Sequence, residues 1–396
     1  MLRHLLKLVW NRKRANFLIV LEIFFSFLVV FAVGTLGLFF WDNLQAPLGF
    51  DYRDVMVAKI DTQSFDDGAD PERLAMVKRL LDEIRAMPAV VSAAPAMIAP
   101  YEIGGWTSRL SFEGRRLELG MDAAGADYER TMGLRLIEGR FFTAADEALD
   151  WQPVVINSAL AREVFGGASP LGRRFGDPSA DGSDPEQRVV GVIEEFRKDG
   201  ELSRPGYFAF VQVRDSDRTP GRLLIKLRPG TPVAIEEALA RRLQAVAPEW
   251  SFELEPLSRL RDENYRTRLI PLVVGGIVAF FLLAMVGLGL VGVLWQNLLR
   301  RAREVGLRRA VGASRSAIHR QVVFEQLILA SFGILLGVAL LVQLPLLELA
   351  GFLSMRVFLA GLLLASLAIY LLAALCAFYP SRIIGLVDPA EALRYE

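Results

Sequence analysis

Four long apolar runs dominate this chain and commit it to a membrane-spanning architecture. They are Phe17 to Phe40, broken only by Glu22, and Leu269 to Leu299, Leu327 to Leu347 and Val357 to Phe378, which carry no charge. A helix of about 22 residues rises about 33 Å, enough to cross a hydrocarbon core of about 30 Å. With 53% apolar residues over 396 positions, the chain is neither a soluble enzyme, a secreted disulfide scaffold nor a disordered protein. Cys376, inside the fourth run, is the only cysteine, and His4 and His319 are far apart in sequence. No intrachain disulfide and no Cys- or His-built metal site is therefore expected.

The formal net charge of zero hides a sorted distribution. Residues 1–16 hold Arg3, Lys7, Arg12, Lys13 and Arg14 with no acid, and residues 300–320 hold seven arginines against Glu304 alone. Both segments should face the cytoplasm. The stretch 42–268 carries 38 acids against 30 Lys and Arg, which suits a translocated domain. The first run exceeds the apolar core of a signal peptide, and Trp41-Asp42-Asn43 after it is no small-residue cleavage site, so it reads as a retained span. Leu2, Leu5, Leu6, Val9 and Trp10 against Arg3 and Lys7 read as an interfacial helix. The expected layout is a cytoplasmic amphipathic helix at 1–16, a first span at 17–40, an extracytoplasmic domain at 41–268, a second span at 269–299 with a cytoplasmic extension, a cytoplasmic loop at 300–320, spans at 321–347 and 357–378, and a cytoplasmic tail at 379–396. Both termini then lie inside.

Within the large domain, Val55, Val57 and Ile60 alternate as a strand. Asp70 and Pro71 open a helix to about Met87 with Leu74, Val77, Leu81 and Ile84 on one face. A hairpin is expected at Glu113-Gly114, and strands at Val154 to Ile156, Val189 to Ile193, Phe208 to Val213 and Leu223 to Leu227. A helix from Ser158 to Phe165 closes at Gly166, and another runs from Pro232 to about Val246 behind Thr231 as cap. Asp177 to Gln187 reads as an exposed loop. The alternation predicts α/β subdomains rather than a β-sandwich.

No catalytic constellation emerges. Gly167 and Gly172 have the spacing of a phosphate loop, but Arg173 and Arg174 replace the Lys and Ser or Thr such a loop needs, and Pro170 removes an amide donor. A structural turn is expected there. Glu194-Glu195 and Asp146-Glu147 read as solvated acids, with no positioned His or Cys to make them a hydrolytic site. Glu22 and Glu325 lie inside spans, where a charge is costly and is either paired or functional. Pairing with a nearby arginine or the interface is the expectation for Glu22, and an energetic or transport role is the alternative.

The strongest local signal is Arg300-Arg301-Ala302-Arg303-Glu304-Val305-Gly306-Leu307-Arg308-Arg309-Ala310-Val311-Gly312-Ala313-Ser314. Helix formers run to Val311, Gly312 stops the helix, and Ser314 caps the next one, giving a basic, partly apolar helical hairpin. The bland reading is inside-facing charge that also binds lipid headgroups.

The run Arg303 to Ala313, followed by Gln321-Val322-Val323-Phe324-Glu325, resembles the coupling region of MacB/FtsX-type ABC transporter permeases. Tyr379-Pro380-Ser381-Arg382 and Asp388-Pro389-Ala390-Glu391-Ala392-Leu393-Arg394-Tyr395 are similar to that family's closing motif. Gly139-Arg140-Phe141-Phe142 with Asp146, then Val154-Val155-Ile156-Asn157, Pro170-Leu171-Gly172-Arg173 and Val189-Val190-Gly191-Val192, resemble the MacB-type periplasmic core. The resemblance implies four transmembrane helices with a large α/β extracytoplasmic domain between the first two, in a bacterial inner membrane. It implies a non-catalytic permease subunit, in which Arg303, Glu304, Val305, Gly306, Leu307, Arg308, Arg309, Ala310, Val311, Gly312 and Ala313 couple to an ABC ATPase dimer. MacB-branch members carry their ATPase ahead of the first span. Here 16 residues precede that span and no phosphate loop occurs, so ATP and Mg are expected on a partner ATPase, with no cofactor on this chain. Further implied partners are a second permease subunit, the same or related, a periplasmic adaptor with an outer-membrane duct, and membrane lipids, with no nucleic acid. Two functions compete. One is mechanotransmission-type efflux of peptide, antibiotic, lipoprotein or similar amphipathic cargo. The other is a non-transporting relay that regulates an envelope protein such as a cell-wall hydrolase. A large extracytoplasmic domain favours the first.

Overall fold

In a computed structural model of the chain the described residues are 13–61, 70–112, 114–177, 186–213, 219–310, 314–347 and 353–384, with side chains left undescribed at 13–16, 297–310, 315, 317, 318 and 379–384. The expected amphipathic start at 1–12, Glu113 of the hairpin, most of the 177–187 loop, residues 311–313 and the closing motif at 388–395 lie outside them. The chain divides into a helical unit, residues 1–42 and 269–396, and a sheet unit, Asn43–Arg268.

Four helices in the described residues are long and apolar enough to span a membrane, through Phe17–Leu44, Leu257–Gln296, His319–Leu346 and Met355–Phe378. The helix holding the second of these runs from Leu257 to Ala310, so residues 300–310 of the cytoplasmic segment are helical, as their helix formers predict. Within the helical unit, Ile23, Phe27 and Phe31 of the first helix meet Ala330 and Ile334 of the third and Ala365, Ile369 and Ala373 of the fourth. Glycine makes this close approach possible. Gly333 and Gly337 are four residues apart and share one face of the third helix; a Cβ on Gly333 would fall 2.5 Å from Ile23 Cγ2, and one on Gly337 would strike the Phe27 ring. Such small-residue faces are how helices gain packing in lipid, where burial alone drives nothing. Ser331 Oγ of the third helix lies 2.9 Å from Tyr370 Oη of the fourth, a polar tie between apolar helices.

The sheet unit is built on one ten-stranded mixed sheet among the described residues. Its strands are β1 (Val55–Asp61), β2 (Val90–Ala96), β3 (Trp106–Phe112), β4 (Arg115–Ala124), β5 (Leu136–Gly139), β6 (Gln152–Asn157), β7 (Gln187–Ile193), β8 (Phe208–Gln212), β9 (Arg222–Leu227) and β10 (Ser251–Pro256), in the order β10-β1-β9-β2-β4-β8-β6-β7-β5 with β3 beside β4. The half β10-β1-β9-β2 is antiparallel throughout. The other half contains the parallel pairs β4/β8 and β6/β7. A single pairing, Ala96 with Ala124, joins the halves between β2 and β4. The α/β subdomains expected from sequence thus share one sheet.

Central strands are buried on both faces, so their side chains divide between separate cores. Val55 and Val57 of β1 face an aromatic core with Phe50, Tyr101, Tyr128, Phe141, Phe196 and Phe210, while Met56 and Ala58 meet the two amphipathic helices. These are α1 (Pro71–Arg85), whose N-cap Asp70 accepts from the amides of Glu72 and Arg73, and Ile235–Val246. The second helix corrects the sequence reading: it starts at Ile235, and Thr231 does not cap it. Thr231 Oγ1 instead donates to the Arg228 carbonyl at 2.6 Å, closing a turn three residues upstream. The helix Ser158–Phe165 covers the other half of the sheet.

Candidate functional site

The chain enters the sheet unit at Asn43 and leaves it at Arg268, and one loop, residues 196–203, ties those two ends together. Arg197 is 2% exposed. Its guanidinium donates to the Ala46 carbonyl at 2.9 Å, to Glu201 O at 2.6 Å and to Ser203 O. Desolvation pulls its pKa below the ordinary arginine value. Asn43 Nδ2 donates to Leu202 O at 3.0 Å. On the leaving side, Arg261 Nε contacts Glu201 Oε1 at 2.7 Å while its guanidinium lies 4.7 Å from the Tyr52 ring and 4.6 Å from the Tyr265 ring. Asn264 Nδ2 donates to Tyr101 O at 3.0 Å. Tyr101 adopts a φ of +70°, an uncommon conformation for an aromatic residue. It is held there by its backbone N–H, which donates to Lys198 O at 2.8 Å, and by Asn264, which donates to its carbonyl. Gly200 is required in the loop, because its φ is +85° and a Cβ would sit 2.6 Å from the Tyr101 ring.

Asn157, at the end of β6, bonds residues on either side of that loop, Glu195 and Gly206. Fully buried, it accepts from the amides of Leu160 (3.1 Å) and Phe208 (3.2 Å) and donates to Gly206 O (2.7 Å) and Glu195 Oε1 (3.0 Å). The acids considered as catalytic candidates are occupied structurally. Asp146 is buried and takes a two-pronged ion pair from Arg140 (2.5 and 2.6 Å) as well as the Thr143 amide and hydroxyl. Burial opposes its ionisation, but those hydrogen bonds win and hold its carboxyl below the ordinary value. Glu194 pairs with Arg135 at 3.1 Å. The Gly167–Gly172 stretch is a turn closed by Arg173 N to Pro170 O at 3.0 Å. Among the described residues no three ligating side chains gather as a metal site.

The intramembrane acids sit apart in the sequence and differ in setting. Glu22 lies against Gly289 of the second apolar helix, where a Cβ would be 3.0 Å from Oε2. The side chains of the arginines nearest this span in sequence, Arg12 and Arg14, are undescribed, so the pairing expected for Glu22 lies outside the described residues. Glu325 Oε1 accepts from Gln321 Nε2 at 3.2 Å, one helical turn away. Of the segment Arg303 to Ala313, residues 303–310 form the end of the long helix, 311–313 lie outside the described residues, and exposed Ser314 immediately precedes the helix Arg315–Leu341. Sequence reasoning missed Arg197, Glu201, Arg261 and Asn264. Only Arg261 and Asn264 carried a signal, being polar residues in a helical stretch running into a span.

Spans and sheet unit define a multi-pass membrane protein with a large mixed-sheet domain inserted between its first two membrane helices. The family pattern of the MacB-like periplasmic core domain matches residues 16–244, more than half the chain, and that of the FtsX-like permease C-terminal region matches 276–387. The chain belongs to this family of ABC transporter permeases. It is 26% identical over 328 residues to the macrolide export ATP-binding/permease protein MacB 2 of Aeromonas hydrophila, covering 81% of this chain and 49% of that one. It is 29% identical over 272 residues to the pyoverdine export ATP-binding/permease protein PvdT of Pseudomonas putida, covering 66% and 40%. Against the uncharacterized ABC transporter permease YknZ of Bacillus subtilis it is 25% identical over 288 residues, covering 68% of each. The chain spans about half the length of the macrolide-export relatives it matches.

Proposed function

We propose that this permease converts ATP hydrolysis by a separate ABC ATPase dimer into movement of its extracytoplasmic sheet unit, exporting an amphipathic cargo such as a peptide, antibiotic or lipoprotein. The observation that carries the reading is the pairing, on one chain, of the MacB-like core at 16–244 with the FtsX-like region at 276–387. Export is favoured by the relatives named for macrolide and pyoverdine export, and a separate ATPase by the Bacillus subtilis relative, named as a permease alone. The chain sits in the bacterial inner membrane with both termini inside, as the arginine-rich segments 1–16 and 300–320 favour. A second permease subunit completes the membrane assembly, and an adaptor with an outer-membrane duct extends it.

Residues 303–313 form the coupling element, supported by the helical course of 303–310 out of the second span and by the arginines at 303, 308 and 309. The 196–203 loop supports motion as a unit: it bonds the chain where it enters the sheet unit to the helix by which it leaves. ATP turnover tests the assignment. The purified chain alone should hydrolyse no ATP, and turnover should appear on adding its ATPase and vanish when that partner's phosphate-loop lysine is changed. Hydrolysis by the clean chain, insensitive to the partner's lysine, would overturn it. ATPase-dependent activation of an envelope hydrolase without cargo movement would replace export by the relay function.

A further inference from the structure

The sheet unit holds a cleft of about 700 Å³ whose lining includes Trp106, Lys198, Arg204, Tyr207, Phe208 and Arg268. That volume falls within the range of small-molecule sites, about 300 to 1,000 Å³. Its polar side is cationic: Arg197, Lys198, Arg204 and Arg268 line it against the single carboxylate of Asp199. Asp199 is shared, at 3.3 Å from Lys198 Nζ and 3.8 Å from Arg268. Beside that carboxylate, Lys198 and Arg268 are also held by neutral oxygens. Lys198 Nζ donates to the carbonyls of Glu102 (3.2 Å) and Gly104, and Arg268 Nε donates to Asn264 Oδ1 at 2.9 Å. Arg197 is 2% exposed, and its buried Nε has no acceptor within the protein. Four cations against one carboxylate leave the lining net positive, and charge already held by carbonyls and amides at Lys198 and Arg268 needs little reorganisation to receive an anion.

The other side is apolar and open. Ile103 is 87% exposed and Trp106 48% exposed on the short loop and strand beside Gly104 and Gly105, with Tyr207 and Phe208 also in the lining. Large apolar groups left in water beside a charged cleft mark a binding surface for a ligand with both characters. We propose that this cleft binds a small amphipathic anion, its carboxylate or phosphate head at Arg204 and Arg268 and its apolar body against Trp106, Tyr207 and Phe208. The geometry of the cleft carries this assignment, which holds whether the chain exports a cargo or relays a signal. Two sources present this chemistry: a soluble amphiphile, and an anionic lipid headgroup, since Arg268 directly precedes the span that begins at Leu269.

Equilibrium dialysis tests it on the full chain in nanodiscs of zwitterionic phosphatidylcholine, with empty discs as blank and radiolabelled 2-naphthoate and its uncharged amide as probes. Naphthoate should bind saturably and about ten-fold tighter than the amide, the worth of one charge-assisted contact. Arg204→Ala and Arg268→Gln should bring naphthoate down to the amide's affinity while leaving the amide unchanged, and Trp106→Ala should weaken both. Arg204 is exposed, so its removal leaves folding intact, and an unchanged melting curve confirms that. In a second arm phosphatidylglycerol is added to the discs: competition with naphthoate assigns the site to a lipid headgroup, and undiminished binding assigns it to a soluble anion, both supporting the site. Equal binding of the two probes, no saturable binding, or wild-type binding by Arg204→Ala would overturn it.

Discussion

Asp122 in β4 is 1% exposed, and it gives the sheet unit a pH dependence that one substitution should remove. Its Oδ1 accepts the Ala123 amide at 2.8 Å, but Oδ2 has no partner, and neither does the buried hydroxyl of Tyr128, whose own pKa the Asp122 charge helps to raise. Burial pushes the Asp122 pKa up from its ordinary 3.8 to about 8, against the opposing pull of the Ala123 amide and of Lys198. The folded chain therefore keeps a proton that the unfolded chain releases above pH 3.8. Stability is fully present below that pH and falls as pH rises toward 8, beyond which both states are ionised. Between pH 5 and pH 7 the loss works out at about 2 to 3 kcal/mol, or roughly 5 to 10 °C in melting temperature for a unit of this size. Asp122→Asn keeps the shape and the Oδ1 acceptor but cannot ionise. Thermal unfolding of wild type and variant, followed by intrinsic fluorescence in detergent, should show the variant gaining several degrees on wild type at pH 7 relative to pH 5. Parallel curves, with the same difference at both pH values, would refute the reasoning that Asp122 is a carboxyl held neutral by burial.

Asn157→Ala removes four hydrogen bonds from a fully buried side chain and strands the amides of Leu160 and Phe208, so it should cost about 3 kcal/mol or more and lower the melting temperature at every pH; a shift within a degree of wild type would show that the network is dispensable. For topology, in a Cys376→Ala background, a cysteine at position 183 should react with impermeant thiol reagents in intact cells and one at position 314 should not. Labelling of Ser314→Cys from outside would invert the orientation.

The parts of the fold legible in the sequence are those whose signal is local. Apolar runs mark the four helices, and Asp70-Pro71 and Gly166 mark helix ends by capping chemistry confined to a few residues. Asn157 was visible as part of a motif, yet its task of linking β6 to Gly206 and Glu195 depends on strand order, which no local pattern encodes. Thr231 misled because a threonine before a helical stretch caps well in general, whereas here its hydroxyl satisfies Arg228 instead. The ties made by the 196–203 loop were invisible for the same reason as the cleft: Arg197 reaches Ala46, which is 151 positions away, and its burial follows only from the assembled sheet. Of the two intramembrane acids, the spans predicted the position of Glu22, but not that it would lie on Gly289.

The central claim is that the segment 303–313, whose first eight residues end the long helix, carries force to the ATPase, and two substitutions there test it most directly. Gly306→Pro breaks the last turns of the helix Leu257–Ala310, at about 3 kcal/mol relative to a good helix former, while keeping every arginine. Val305→Asp keeps the helix and adds an acid to a segment that remains strongly basic. The measurement is co-purification of the ATPase together with ATP-dependent cargo release from proteoliposomes, for each variant beside wild type. Both variants should insert normally and lose either the ATPase or the coupling of hydrolysis to release. Wild-type release by both, with the ATPase still bound, would contradict the claim and leave the arginines only their role in topology and lipid binding.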